Sequence, residues 1–77
     1  MEIKVLGAGC AKCKKLEKVT YQAVDELGIE ATIEKVEDMM KIMEFSVMAT
    51  PALVVNDKVI VSGRVPKISE IKNFLTL

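Results

Sequence analysis

The chain has no histidine and no tryptophan. Its 77 residues include only two cysteines, two prolines, one tyrosine and two phenylalanines. Each scarcity excludes something. So few aromatics leave little on which nucleic-acid bases could stack. Eleven basic and eleven acidic residues balance to zero net charge, so there is no broad electrostatic footprint for nucleic acid. Two cysteines are too few for a disulfide-dense secreted scaffold. A structural zinc site wants four ligands, and a single copy without histidine offers two thiols. No apolar run is long enough for a transmembrane helix. The start, Met1-Glu2-Ile3-Lys4, lacks the basic region and apolar core of a signal peptide, so a cytoplasmic protein is expected.

What is present is the makeup of a compact domain. Hydrophobic residues are 51% of the chain and charged residues 29%, which argues against disorder. At this length a single domain over residues 1–77 is expected, burying about 60% of the surface its unfolded form exposes.

The hydropathy pattern divides the chain into seven elements. Glu2 to Leu6 reads as a strand, broken by Gly7-Ala8-Gly9. From Cys10 or Ala11 to Leu27 the pattern is helical: Cys13, Leu16, Val19, Thr20, Ala23, Val24 and Leu27 recur at three- and four-residue steps. Gly28 is a suitable helix stop. Ile29 to Val36 alternates apolar and polar residues, as a strand with one wet face does. Asp38 then opens a short helix whose apolar stripe is Met39, Ile42 and Met43, with Phe45 near its end. Methionine fills irregular gaps well, so this stripe is expected in the core. Ser46 to Pro51 reads as a loop. Ala52 to Val55 is apolar on consecutive residues, hence a strand buried on both faces. Asn56-Asp57 makes a hairpin turn into a fourth strand, Lys58 to Ser62. After Gly63, Pro66 suits the first turn of a last helix carrying Ile68, Ile71, Phe74 and Leu75 inward. The order is β-α-β-α-β-β-α, with the first two strands parallel.

The two cysteines stand three residues apart, in Gly9-Cys10-Ala11-Lys12-Cys13, where the first strand gives way to the long helix. The first N–H groups of a helix lack partners and favour negative charge. A thiolate there can have its pKa lowered from about 8.5 into a range of roughly 3.5–7.5. Cys10 falls at the boundary and is expected to be exposed; Cys13 continues the apolar stripe and is expected to be partly buried. For disulfide exchange this asymmetry makes Cys10 the attacking thiol and Cys13 the resolving one. Lys12, Lys14 and Lys15 either stabilise a thiolate or form an ordinary solvated face. Taken by themselves, the paired cysteines are compatible with redox chemistry, with metal binding, or with inert packing.

Two separated marks, Gly9-Cys10-Ala11-Lys12-Cys13 after the first strand and Ala49-Thr50-Pro51-Ala52 before the third, make the chain resemble the thioredoxin superfamily. The resemblance is to its small thioredoxin/glutaredoxin-like redox proteins of archaea and bacteria. It implies an α/β minimal thioredoxin fold, a mixed four-stranded sheet flanked by three helices. It also implies reduction of protein disulfides through a redox-active Cys10–Cys13 pair, with no cofactor beyond that disulfide and no resident metal. Pro51 is then the cis proline lying against the disulfide, and Thr50 offers its backbone to an extended peptide or to glutathione. Gly63 matches a position where the chain passes the active site, and Ala11 and Lys12 lie between the cysteines at the surface that meets substrate. The implied partners are protein disulfides and an upstream disulfide reductase, with the protein acting as a monomer.

The departures from the family are specific. Ala11-Lys12 matches neither the Gly-Pro of typical thioredoxins nor the Pro-Tyr of typical glutaredoxins. Gly9 stands where thioredoxins have tryptophan. Lys4 lies on the strand where thioredoxins carry a buried acid. Ser62-Gly63-Arg64-Val65-Pro66-Lys67 lacks the acidic residues with which glutaredoxins hold glutathione, which makes glutathione the weaker candidate partner. The rival function is a Cu(I) carrier using the same cysteines, since two thiolates suit that ion. Copper-chaperone domains, however, run β-α-β-β-α-β and end in a strand. A third reading, an interaction module without the reaction, sits poorly with two intact cysteines.

Overall fold

Alternation along the first strand sets up two cores. Ile3 and Val5 point to one side of the backbone, Lys4 and Leu6 to the other. A computed structural model describes residues 1–7, 11–47 and 49–76. It contains β1 (Glu2–Leu6), α1 (Ala11–Leu27), β2 (Thr32–Val36), α2 (Met39–Glu44), β3 (Ala52–Val55), β4 (Lys58–Ser62) and α3 (Ile68–Leu75). The strands form one sheet in the order β2-β1-β3-β4. β1 and β2 are parallel; β3 is antiparallel to both β1 and β4. This is the α/β architecture of a minimal thioredoxin fold.

On one face, α1 and α3 cover the sheet. Ile3, Val5, Leu53 and Val61 meet Leu16 and Ala23 of α1 and Ile71 and Leu75 of α3. Each such large side chain contributes about 1.5–3 kcal/mol by leaving water. Thr20 is fully buried in the same helix stripe, and its Oγ1 donates to the Leu16 carbonyl at 2.7 Å, which satisfies the hydroxyl. On the other face, Leu6, Val36, Ala52 and Val54 pack with Ile42 of α2, and Phe45 and Val47 close the cluster. β3 contributes to both faces, which is why its apolar residues run consecutively.

Three details differ from the sequence reading. β2 begins at Thr32, not Ile29. Its register pairs Thr32 with Glu2, where β1 starts, so Ile29 and Ala31 have no strand beside them and pack into the α1/α3 core instead. Pro66 precedes the last helix rather than lying in its first turn: Lys67 is the N-cap residue. There the Lys67 N–H donates to Glu70 Oε1 at 3.4 Å, while Arg64 clamps the Glu70 carboxylate with bonds of 3.2 and 2.9 Å.

The methionines are the third correction. Met39, Met40 and Met43 are 63%, 74% and 66% exposed, whereas Ile42 is 4% exposed. A helix of six residues presents little more than one position to the sheet, and Ile42 takes it. Phe45 and Val47, beyond the helix end, fill the space that the sequence pattern assigns to methionine.

The hairpin turn agrees with the sequence. Asn56 and Asp57 both have positive φ, 49° and 67°, as a two-residue type I′ turn requires. Asn56 also ties the turn to the start of β1, accepting from the Glu2 N–H at 3.0 Å and donating its own N–H to the Glu2 carbonyl at 2.8 Å.

Candidate functional site

The register of the sheet brings distant parts of the chain to one edge. Leu6 of β1 pairs with Ala52 of β3, and Ala52 pairs with Ser62 of β4. The next residues off this row are Gly7, Pro51 and Gly63. Two backbone bonds fasten them. The Gly7 N–H donates to the Val36 carbonyl at 3.0 Å, and the Gly63 N–H donates to the Pro51 carbonyl at 2.8 Å. Residues spanning most of the chain therefore meet where β1 hands over to the segment leading into α1.

Cys13 is held at this edge. It lies in the first turn of α1, is 1% exposed, and is disulfide-bonded. The stripe that buries it is the one read from sequence, continuing through Leu16, Thr20 and Ala23, although the burial is complete rather than partial. Its sulfur is seated against Gly7. A Cβ added there would lie 2.3 Å from Cys13 Sγ and 2.9 Å from its Cβ, so only glycine lets the strand end approach so closely. Sequence reasoning treated Gly7 only as a strand breaker. The available signal was its position directly after the apolar strand and shortly before the cysteine motif.

The Thr50–Pro51 peptide bond is cis. Pro51 is buried while Thr50 is exposed. Gly63 has φ +79°, and a Cβ there would meet Ala49 Cβ at 3.2 Å. Both the left-handed backbone and the close neighbour favour glycine at this position. Ala11 and Lys12 are exposed on the first turn of α1. Cys10, the expected attacking thiol, lies outside the described residues.

The surroundings of the edge are charged unevenly. Lys12, Lys14, Lys15 and Lys18 are exposed along α1, and Glu17 among them is engaged by Lys35 at 3.3 Å. That bond to Glu17 raises the Lys35 pKa, with Glu37 assisting. Beyond Gly63, Arg64 lowers the Glu70 pKa through its bidentate hydrogen bonds, helped by the Lys67 N–H. On the opposite face of the sheet, Lys4 lies with its Nζ 5.2 Å from the Phe45 ring centroid and 3.9 Å from Asp57. The stem of Lys4 thus lies on apolar surface while its charge reaches an aromatic face and a carboxylate.

Two further observations bear on function. Among the described residues, no helix is long and apolar enough to cross a membrane. The element order, with α2 between β2 and β3 and α3 at the end, is also not that of a copper-chaperone domain.

Comparison with known proteins agrees with this architecture. A family model described as a thioredoxin domain matches residues 1–76. A protein named thioredoxin from Methanothermobacter thermautotrophicus is 43% identical over 76 residues, covering 99% of both chains. A thioredoxin from Methanocaldococcus jannaschii is 40% identical over 73 residues, covering 95% of this chain and 84% of its own. A probable thioredoxin from Archaeoglobus fulgidus is 32% identical over 69 residues, 86% of this chain and 75% of that one. The chain belongs to the thioredoxin family.

Proposed function

We propose that this protein is a thiol–disulfide oxidoreductase that reduces protein disulfides by dithiol exchange between Cys10 and Cys13. The observation that carries the reading is the seat of Cys13. A disulfide-bonded sulfur, 1% exposed and backed by Gly7, sits at the sheet edge that also holds Pro51 and Gly63. A cysteine so enclosed is poorly placed to meet a large substrate, but well placed to resolve an intermediate on a neighbouring residue. Cys10, three residues earlier, takes the attacking role.

The Cys10 thiolate attacks one sulfur of the substrate disulfide. A Cys10–substrate mixed disulfide forms, and the other substrate sulfur leaves as a thiolate. Cys13, as thiolate, then attacks the Cys10 sulfur, forming the Cys10–Cys13 disulfide and releasing the second substrate thiolate. Two electrons pass to the substrate, whose sulfurs take up two protons. An upstream disulfide reductase returns the electrons. The exchanging sulfurs carry the electrons themselves, so no other cofactor is required.

Substrate binding falls to the residues around the pair. The Thr50 backbone hydrogen-bonds an extended stretch of the partner, Pro51 and Gly63 shape the floor, and Ala11 and Lys12 flank the point of attack. Glutathione would have to bind without acidic residues in the Ser62–Lys67 segment, so protein disulfides are the better-supported substrates. The domain, residues 1–77, acts as a monomer.

Single cysteine variants test the assignment. Cys10→Ser abolishes reduction of a protein disulfide driven by dithiothreitol. Cys13→Ser accumulates mixed disulfides, visible by non-reducing electrophoresis and mass spectrometry. Trapping by Cys10→Ser instead would reverse the roles. Activity surviving in both variants would remove dithiol exchange altogether.

A further inference from the structure

A groove runs between α1 and the segment that leads into α3. Its volume is about 490 Å³ and its apolar lining is Val19, Val65, Pro66 and Ile68. Val19, Val65 and Ile68 are partly buried hydrophobics packed against the α1/α3 core. Lys15 on one side and Lys67 on the other also line it, and both are exposed. One end of the groove lies near the exchange site, since Lys15 follows Cys13 by two residues and Val65 follows Gly63 by two.

The charges around the groove share one sign where they are unpaired. Among the described residues, Lys15 makes no ion pair, nor do Lys12 and Lys18 on the exposed side of α1; Lys67 makes none within 4.0 Å, although its charge joins Arg64 in acting on Glu70. The nearby acids are already engaged. Glu70 is clamped by Arg64, Glu26 by Lys72, and Glu17 by Lys35. The protein has zero net charge, yet this surface is positive because its acids are paired and much of its lysine is not. A positive rim over an apolar floor attracts the complementary pattern and disfavours a basic one.

We propose that this groove docks an extended, acidic segment of the partner protein, with an apolar side chain on Val19, Val65 and Ile68 and carboxylates against Lys15 and Lys67. Resting on the disulfide-exchange reading, the proposal makes the groove the element that selects which disulfide-bearing proteins approach the pair. Acidic partners gain mainly in rate of encounter, and the gain falls with salt.

The test separates docking from chemistry. Two fluorescein-labelled, cysteine-free peptides are compared by anisotropy: one alternates glutamate with leucine, and its twin has lysine in place of glutamate. At low salt the glutamate peptide binds at least about tenfold more tightly than its twin. The difference collapses near 0.5 M salt, where the Debye length shrinks to roughly 4 Å. The double variant Lys15→Glu/Lys67→Glu reverses the preference. Equal affinity for the twins, or a preference the double variant leaves unchanged, overturns the proposal.

Turnover of hydroxyethyl disulfide, too small to use the groove, reports on the chemistry separately. The native protein and Lys67→Glu turn it over equally. Turnover without charge preference defeats the docking proposal alone. Charge preference without turnover defeats the exchange reading and leaves the groove as an acidic-segment binding surface.

Discussion

The two faces of the sheet are built to different standards. Among the described residues, the face under α1 and α3 buries eight residues in one continuous cluster, while the face under α2 buries five. The first is closed by helices of seventeen and eight residues, the second by a helix of six that leaves three methionines in solvent. The difference separates stability from exposure. The helix that carries Cys13 stands on the larger of the two buried clusters among the described residues. The α2 face contributes Val36, whose carbonyl receives the Gly7 N–H, and little more to the site.

Single substitutions on each face test this contrast. The largest effect is expected from Leu53→Ala, which empties the centre of the α1/α3 core and should cost about 2–5 kcal/mol in urea unfolding. Ile42→Ala on the α2 face should fall near the lower end of that range, because neighbouring groups lie close to solvent and can relax. Next comes Gly7→Ala, where the new methyl group meets the Cys13 sulfur. An overpacked site of this kind costs about 1–3 kcal/mol, and the change should also shift the redox equilibrium with glutathione. A neutral Gly7→Ala would mean that the sulfur is not pressed against the strand end. Met43→Ala should change stability by no more than about 0.5 kcal/mol. A cost equal to that of Ile42→Ala would put methionine back in the core and erase the contrast.

Acid sensitivity is the smallest of these effects and belongs to the α1/α3 side. The Glu70 pKa is lowered by Arg64, and the Glu26 pKa by Lys72 and Gln22. A carboxylate whose folded pKa is depressed stabilises the fold fully above its ordinary value of 4.5. That contribution disappears as pH falls through the lower folded value. Both groups are solvent-exposed, so the slope is shallow. Urea midpoints measured from pH 6 down to pH 3 should decline, and Glu70→Gln should flatten part of the decline.

Much of the fold was legible because its signals are local. β1, α1, β3 and β4 follow from alternation, helical spacing and the Asn56-Asp57 turn, and the consecutive apolar residues Ala52-Leu53-Val54-Val55 read as a strand buried on both faces. The start of β2 was not legible, because Ile29 and Ala31 alternate correctly but pair with nothing; where a strand begins depends on where its neighbour begins. The methionines misled for a related reason. A stripe on one short helix says which residues share a side, not how much of that side reaches the sheet. At the site, the burial of Cys13 followed from its place on the α1 stripe, and the marks at Thr50-Pro51 and Gly63 rested on family resemblance. The role of Gly7 depends on a close approach between strand end and helix, which no local pattern reveals.

The central claim is that one cysteine meets substrate while the other waits in the core. Brief alkylation of the fully reduced protein near neutral pH, followed by peptide mass spectrometry, tests it most directly. A single adduct on Cys10, with Cys13 modified only after denaturation, is the predicted result. Modification of Cys13 first, or of both cysteines at equal rates, would contradict the account.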